Sequence, residues 1–285
     1  MHKKQKLAQK TEKTTENTIK KYNLLSKKDK ILVACSGGKD STTILHILKK
    51  LKYNVEAITV DAVIGNYTKE NLENIKEFCK KHKIKLHIIS FREEFGFSLC
   101  YIRSILKKKN INLTSCTICG VLRRYLLNKY SKKLNAAKLV TGHNLNDEAQ
   151  GVIMNLLKNN LELLARQGPS TGISKNKNFV QRVKPLYFVS EKDIADYSKK
   201  MNFPVNYAPC PCRKGVYRCL INKLLTEHEQ KNPGTHKNII KWLLSISPIL
   251  KKKFTTTKKQ KLCANCREPS QQKLCMACKI LSKIR

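Results

Sequence analysis

Six residues, Ser36-Gly37-Gly38-Lys39-Asp40-Ser41, separate the apolar run Ile31-Leu32-Val33-Ala34-Cys35 from a helix-like stretch running from Thr42 to Lys50. A strand that enters two glycines and then a helix bares several backbone N–H groups at the positive end of a helix dipole, which suits an anion such as pyrophosphate. Lys39 adds mobile charge, Ser36 and Ser41 add donors, and Asp40 is placed to hold magnesium. The spacing differs from the G-x-x-x-x-G-K-[ST] of a Walker loop, so the usual NTPase reading fails.

Strand and helix patterns alternate after this loop. Val55 to Val60 and Ile84 to Ser90 read as strands flanking a helix over Lys69 to Lys81. A helix near Phe97 to Lys108 and another from Cys116 to about Lys132 precede a fourth strand, Ala137 to Gly142. That strand ends at His143-Asn144-Leu145-Asn146-Asp147-Glu148, where a further helix begins and reaches about Lys158. This order predicts an α/β fold with a parallel sheet covered on both faces and a ligand crevice at the carboxyl ends of the strands. Arg166 to Asn178, rich in Gly, Ser, Asn and Lys, reads as a mobile loop. A short strand at Val180 to Val183 and a helix capped by Ser190 follow, then helices near Val216 to His228 and Asn238 to Leu244. The expected organisation is a basic N-terminal helix (1–26), a catalytic domain (27–250), a Lys/Thr linker (251–261) and a terminal cysteine module (262–285).

The formal charge of +38 exceeds what solubility requires and would draw in polyanions such as RNA. Lys outnumbers Arg 48 to 10, a skew that an AT-rich genome also produces without selection for binding. No run of 18 apolar residues exists and no apolar segment follows the basic start, so a soluble, cytoplasmic protein is expected.

Twelve cysteines in a chain long enough to build its own core speak for metal rather than disulfides. Cys263-x2-Cys266-x8-Cys275-x2-Cys278 offers two thiolate pairs that together close a tetrahedron around zinc, whose binding would supply the folding free energy of so short a segment. Cys116 and Cys119 form another C-x-x-C, compatible with redox activity, half a zinc site or part of an iron–sulfur site. Cys210, Cys212 and Cys219 are the nearest downstream thiols. Three cysteines on a [4Fe-4S] cluster would leave one iron open to a substrate atom, as a closed four-cysteine site could not. Cys35, Cys79 and Cys100 read as small buried hydrophobes.

The strings Ser36 to Ser41, Cys116-Thr-Ile-Cys119-Gly-Val-Leu-Arg-Arg-Tyr, Thr141-Gly-His-Asn-Leu-Asn-Asp-Glu-Ala149, Ala165-Arg-Gln-Gly-Pro169, Arg182-Val-Lys-Pro185 and Pro209-Cys-Pro211 stand in one order. Together they resemble the tRNA 2-thiolation enzymes of the ATP-pyrophosphatase (PP-loop) superfamily, nearest to the TtuA-like two-thiouridine synthetases and next to the cytosolic wobble-uridine thiolases. The resemblance implies a PP-loop, adenine nucleotide alpha hydrolase-like domain. It places ATP and Mg2+ at Ser36, Gly37, Gly38, Lys39, Asp40 and Ser41, with Gly142 and His143 beside them, and a [4Fe-4S] cluster on Cys116, Cys119 and Cys210. The implied reaction adenylates a uridine C2 oxygen and lets sulfur displace AMP. T-loop uridine 54 is favoured over wobble uridine 34 as the target. Implied partners are tRNA, a ubiquitin-like protein with a C-terminal thiocarboxylate, and a second copy of the chain.

The chain departs from that pattern in several places. Many relatives carry a second cysteine/histidine finger at the N-terminus, whereas residues 1–30 hold no cysteine and only His2. Arg123 stands where near relatives have a Lys credited with catalysis; a guanidinium cannot act as a base, so only an electrostatic role carries over. Asn146 replaces the first acid of an Asp-Asp pair, leaving Asp147 as the acid/base or magnesium candidate. Cys212 and Cys219 have no counterpart; Cys212 reads equally as a fourth ligand, a persulfide carrier or a spectator. Arg123, Arg124, Arg166, Arg182 and Lys184 are candidates for phosphate contact. Two competing readings remain: a PP-loop synthetase acting on a small acid or amide, and a nonenzymatic RNA-binding iron–sulfur or sulfur carrier.

Overall fold

In the computed structural model, residues 2–173, 178–213, 217–255, 261–270 and 272–284 are described. Five strands, β1 (Ile31–Ala34), β2 (Val55–Asp61), β3 (Leu86–Ser90), β4 (Lys138–Thr141) and β5 (Arg182–Val183), form one sheet in the order β3-β2-β1-β4-β5. Every pairing is parallel. Apolar residues fill β1 because both its faces are covered: Ile31, Leu32 and Val33 are fully buried. From β1 the chain moves first to β2 and later to β4 on the opposite side, so the strand order reverses between β1 and β4. That switch point opens a crevice at the carboxyl ends of the two strands.

The helices are α1 (His2–Lys21), α2 (Lys39–Lys50), α3 (Gly65–Lys81), α4 (Phe91–Phe95), α5 (Leu99–Lys108), α6 (Ser115–Lys133), α7 (Leu145–Leu157), α8 (Leu161–Ala165), α9 (Glu191–Lys200), α10 (Tyr217–Lys231), α11 (Thr235–Phe254) and α12 (Met276–Ser282). One core layer sets Ile44, Leu45, Ile47 and Leu48 of α2 against Val33, Phe78, Ile194 and Tyr197. On the other face, Ile118, Leu122 and Leu126 of α6 pack with Ile58, Ile102 and Leu139. Ala277 and Ile280 of α12 join that second layer, which seats the terminal module on α6. No helix among the described residues is long and apolar enough to cross a membrane.

The N-terminal helix is amphipathic rather than uniformly basic and solvated. Ala8, Thr11, Thr15, Thr18 and Ile19 are buried at helical spacing, while Lys10, Lys13 and Lys20 stay exposed. Three expectations need correction. Helix α11 continues to Phe254, past the point where the sequence places a linker, because Leu250 packs with Leu243 and Leu244 beyond Pro248; residues 256–260 lie outside the described ones. The start of the supposed mobile loop is anchored: Thr171 N–H donates to Arg182 C=O (2.9 Å), Gly172 N–H to Arg166 C=O (2.9 Å) and Lys184 N–H to Pro169 C=O (2.8 Å), while residues 174–177 fall outside the described ones. Cys35 and Cys79 are buried, but Cys100 is exposed, since Leu99, Ile102 and Leu106 turn the other face of α5 inward.

Candidate active site and metal centres

The loop after β1 is shaped by contacts that only glycine permits. Gly37 has φ +77°, and a Cβ there would lie 2.2 Å from the Asn71 carbonyl oxygen. Gly38 caps α2 with no side-chain hydrogen bond, so the first N–H groups of the helix point outward unclaimed by a cap. Ser41 braces the turn: its Oγ accepts from Ser36 N–H (3.1 Å) and donates to Gly38 C=O (3.1 Å). Lys39 Nζ lies 3.0 Å from both Asp40 Oδ2 and Glu191 Oε1. Burial alone would lower the Lys39 pKa, but the two carboxylates outweigh it and raise it. Burial pushes the Asp40 carboxyl upward against the pull of Lys39, and Asp147 adds to that rise.

The loop after β4 forms the facing wall. A Cβ on Gly142 would come within 2.9 Å of the Asp40 and Ser41 backbone, so a side chain there would drive the two loops apart. Asn144 links them, donating to Asp40 Oδ1 at 2.9 Å. Asn144 and Asp147 form a capping box on α7, and Arg218 Nη1 lies 3.3 Å from Asp147 Oδ1. Asp147 is therefore engaged in a helix cap and an ion pair rather than poised alone as an acid or base. Asn146 accepts from Glu191 N–H at 2.9 Å and holds the start of α9 beside Lys39. His143 is exposed at the loop after β4, with Nδ1 2.9 Å from Thr141 Oγ1. Desolvation by neighbouring protein atoms and then the Lys184 charge push its pKa down. Lys184 Nζ meets Glu148 Oε2 at 2.7 Å with both side chains at most one-tenth exposed, and so does not reach out for phosphate.

Beside the nucleotide loop lies a cavity of about 280 Å³, lined by Ser36, Tyr67 and Asn71 on one side and by Cys116, Cys119, Arg123, Cys210 and Cys212 on the other. Thr114 caps α6 and sets Cys116 and Cys119 one turn apart on the same face. Cys210 arrives just ahead of a 3-10 turn, Pro211–Arg213, closed by Arg213 N–H donating to Cys210 C=O at 3.0 Å. The thiol of Cys116 reaches the Cys212 carbonyl at 3.5 Å. Burial and then the thiols of Cys210 and Cys119 push the Cys116 pKa up. Burial does the same to Cys119, opposed by a hydrogen bond from Arg123. Deprotonation here calls for a cation, as a metal centre supplies. Arg124 and Arg182 are crowded together; burial and then the Arg124 charge lower the Arg182 pKa to about 10. Arg166 instead pairs with Glu162 on its own helix turn.

The two cysteine sets differ in geometry. The thiols of Cys263, Cys266, Cys275 and Cys278 all lie within 4.8 Å of one another, the spacing of a tetrahedral ion; among the described residues no other metal-binding group is so compact. Cys275 N–H and Cys278 N–H donate to Cys263 Sγ (3.2 Å) and Cys275 Sγ (3.4 Å), the pattern of paired metal knuckles. Cys116, Cys119 and Cys210 share a cavity wall and, among the described residues, do not form so compact a set. Glu268 ties the module to α6 through Asn128 and Lys132.

The sequence singled out the loop, the cysteines, Gly142, His143 and Asp147, but not Glu191, Arg218, Tyr67 or Asn71. Only the position of Glu191 at a capped helix start hinted that it stands at a crevice.

Residues 4–207 match the family of the PP-loop domain. A tRNA-5-methyluridine(54) 2-sulfurtransferase of Pyrococcus horikoshii is 33% identical over 94% of this chain and 83% of its own length. The cytoplasmic tRNA 2-thiolation protein 1 of Drosophila erecta is 31% identical over 93% of this chain and 77% of its own length. The solved U34-tRNA thiolase NcsA from Methanococcus maripaludis, with its [4Fe-4S] cluster, superposes with a TM-score of 0.80 at 25% identity, covering 97% of this chain and 88% of that one.

Proposed function

Because this chain belongs to the PP-loop family and to its tRNA 2-thiolation sulfurtransferases, we propose that it uses ATP to replace the C2 oxygen of a tRNA uridine with sulfur, with T-loop uridine 54 as its target. One cavity carries this reading: Ser36 of the phosphate loop lines the same space as Cys116, Cys119 and Cys210. Sulfur held by those thiols would meet the nucleotide where its phosphates are broken. The preference for uridine 54 follows the relatives from Pyrococcus horikoshii and Thermotoga maritima, both 33% identical and both named for that position.

In this mechanism Gly37, Gly38 and the first turn of α2 cradle the β and γ phosphates, and Lys39 leaves Glu191 to follow them. Asp40 holds magnesium. The uridine C2 oxygen attacks the α phosphorus and pyrophosphate departs into the loop; donors fixed on that developing charge are each worth about 3 kcal/mol of barrier. His143, neutral, and Gly142 shape the wall behind the α phosphate. Arg218 turns from Asp147 toward phosphate, and Asp147 then faces the magnesium site as a carboxylate. A [4Fe-4S] cluster on Cys116, Cys119 and Cys210 would supply an open iron for sulfide. Arg123 keeps that side of the cavity positive and orients Cys119 without transferring a proton.

Zinc is the metal for Cys263, Cys266, Cys275 and Cys278, given four thiolates at tetrahedral spacing. Sulfur arrives on the C-terminal thiocarboxylate of a ubiquitin-like protein. The enzyme works as a homodimer in the cytoplasm. Anaerobically reconstituted protein incubated with unmodified tRNA, ATP and sulfide should yield a 2-thiouridine in nuclease digests read by mass spectrometry, at position 54. Cys116→Ala, Cys119→Ala and Cys210→Ala should each abolish it. Thiolation at position 34 would overturn the choice of uridine, and full activity in the three cysteine variants would remove the cluster from the reaction.

A further inference from the structure

Four thiols, not three, line this cavity: Cys212 stands with Cys116, Cys119 and Cys210 on its wall. Cys100 is exposed on the outer face of α5, and Cys219 is turned to the Arg213 carbonyl at 3.3 Å. Among the described residues, Cys212 is thus the one additional thiol lining the cavity. Its position is fixed by the 3-10 turn at Pro211–Arg213, where proline restricts the backbone and Arg213 N–H closes onto Cys210 C=O. The Cys212 carbonyl accepts from the Cys116 thiol at 3.5 Å. Cys212 therefore touches one of the three proposed iron ligands and lines the same cavity as all three.

We propose that Cys212 is a displaceable fourth ligand, which occupies the open iron until inorganic sulfide replaces it. This rests on the cluster reading given above. A thiol that ligates iron gives up its proton and displaces water. When hydrogen sulfide binds, its proton passes to the departing Cys212 sulfur, and hydrosulfide takes the iron. One Fe–S bond breaks as another forms, and no electron is gained or lost. The arrangement shields an iron that would otherwise face the water of an open cavity, at the expense of apparent sulfide affinity.

The test compares wild type, Cys212→Ala and Cys212→Ser after anaerobic reconstitution, with iron and sulfide content measured for each. Each reduced cluster is titrated with sodium sulfide and followed by electron paramagnetic resonance, with no tRNA or ATP present. If Cys212 fills the position nine-tenths of the time, the alanine variant should reach half-saturation at about tenfold lower sulfide. Its sulfide-free spectrum should also differ from wild type, and the serine variant should lie between the two or match alanine. Equal clusters with identical spectra and identical half-saturation in all three proteins would overturn the proposal and leave the thiolation reading standing. Failure of wild type to assemble any cluster would overturn both.

Discussion

Lys39 and Glu191, 152 residues apart, meet at 3.0 Å across the mouth of the nucleotide crevice. Asn146, which accepts from Glu191 N–H, ties the same helix start to the β4 loop. A carboxylate from another part of the fold thus holds the lysine that the proposed mechanism assigns to phosphate. Glu191→Gln should therefore release Lys39 and lower KM for ATP several-fold, with little change in kcat. Lys39→Ala should lower kcat/KM by about a hundredfold to a thousandfold, as expected for a lost donor at a developing charge. Steady-state kinetics at saturating tRNA separate the two; a raised KM in Glu191→Gln would contradict this account.

Gly37→Ala meets both a positive φ of +77° and the backbone of Asn71 at 2.2 Å. Neither yields cheaply, so the variant should lose about 1–3 kcal/mol of stability and most nucleotide binding. Urea unfolding and ATP titration of the folded variant read the two effects.

The Lys184–Glu148 pair is closed off from solvent at 2.7 Å. Lys184→Met strands a buried carboxylate and should cost about 3–5 kcal/mol, whereas Lys184→Met combined with Glu148→Leu should cost markedly less. Equal losses in the single and double variants by chemical denaturation would show that the pair is not coupled.

His46 packs among Phe78, His82, Tyr197 and Phe203, and its Nδ1 has no hydrogen-bond partner. Burial and then His82 push its pKa down to about 4, with Glu12 opposing and Lys50 assisting. The unfolded chain binds this proton near the ordinary histidine value, so between that value and 4 the unfolded state holds more protons. Stability is full above about pH 6.5 and falls as pH drops, by about 2 kcal/mol at pH 5 from this group. His46→Leu should flatten the change in urea midpoint between pH 7 and pH 5.

Glu268 is buried and accepts from both Asn128 and Lys132 of α6. Glu268→Ala leaves the Asn128 amide short of an acceptor and should cost about 1–3 kcal/mol. The four cysteines do not depend on that carboxylate, so the content of any metal they hold should stay at the wild-type level. Elemental analysis alongside thermal unfolding checks both statements.

The parts of the site legible in the sequence were those whose chemistry is local. Ser36 to Ser41 form a strand-loop-helix unit readable in one window, and Cys263 to Cys278 enclose their own metal geometry. Partners set by crossovers were not legible: nothing near Lys39 announces Glu191, and nothing near Asp147 announces Arg218. Asp147 looked free because its cap and ion pair depend on Asn144 and on a helix that begins 70 residues later. The end of α11 was placed too early because the Lys/Thr tract after Leu250 shows no apolar period, whereas Leu250 packs against the core and the helix runs on to Phe254.

Strands β1 and β4 lie in register, Ala34 beside Thr141, so the two crevice loops leave the sheet at the same height. Gly142 then allows them to approach so closely that neither has room to change shape alone. Anyone transplanting this nucleotide grip into a new scaffold would have to move both loops together with the strand pair beneath them. A graft of the first loop by itself would carry the familiar letters and lose their spacing.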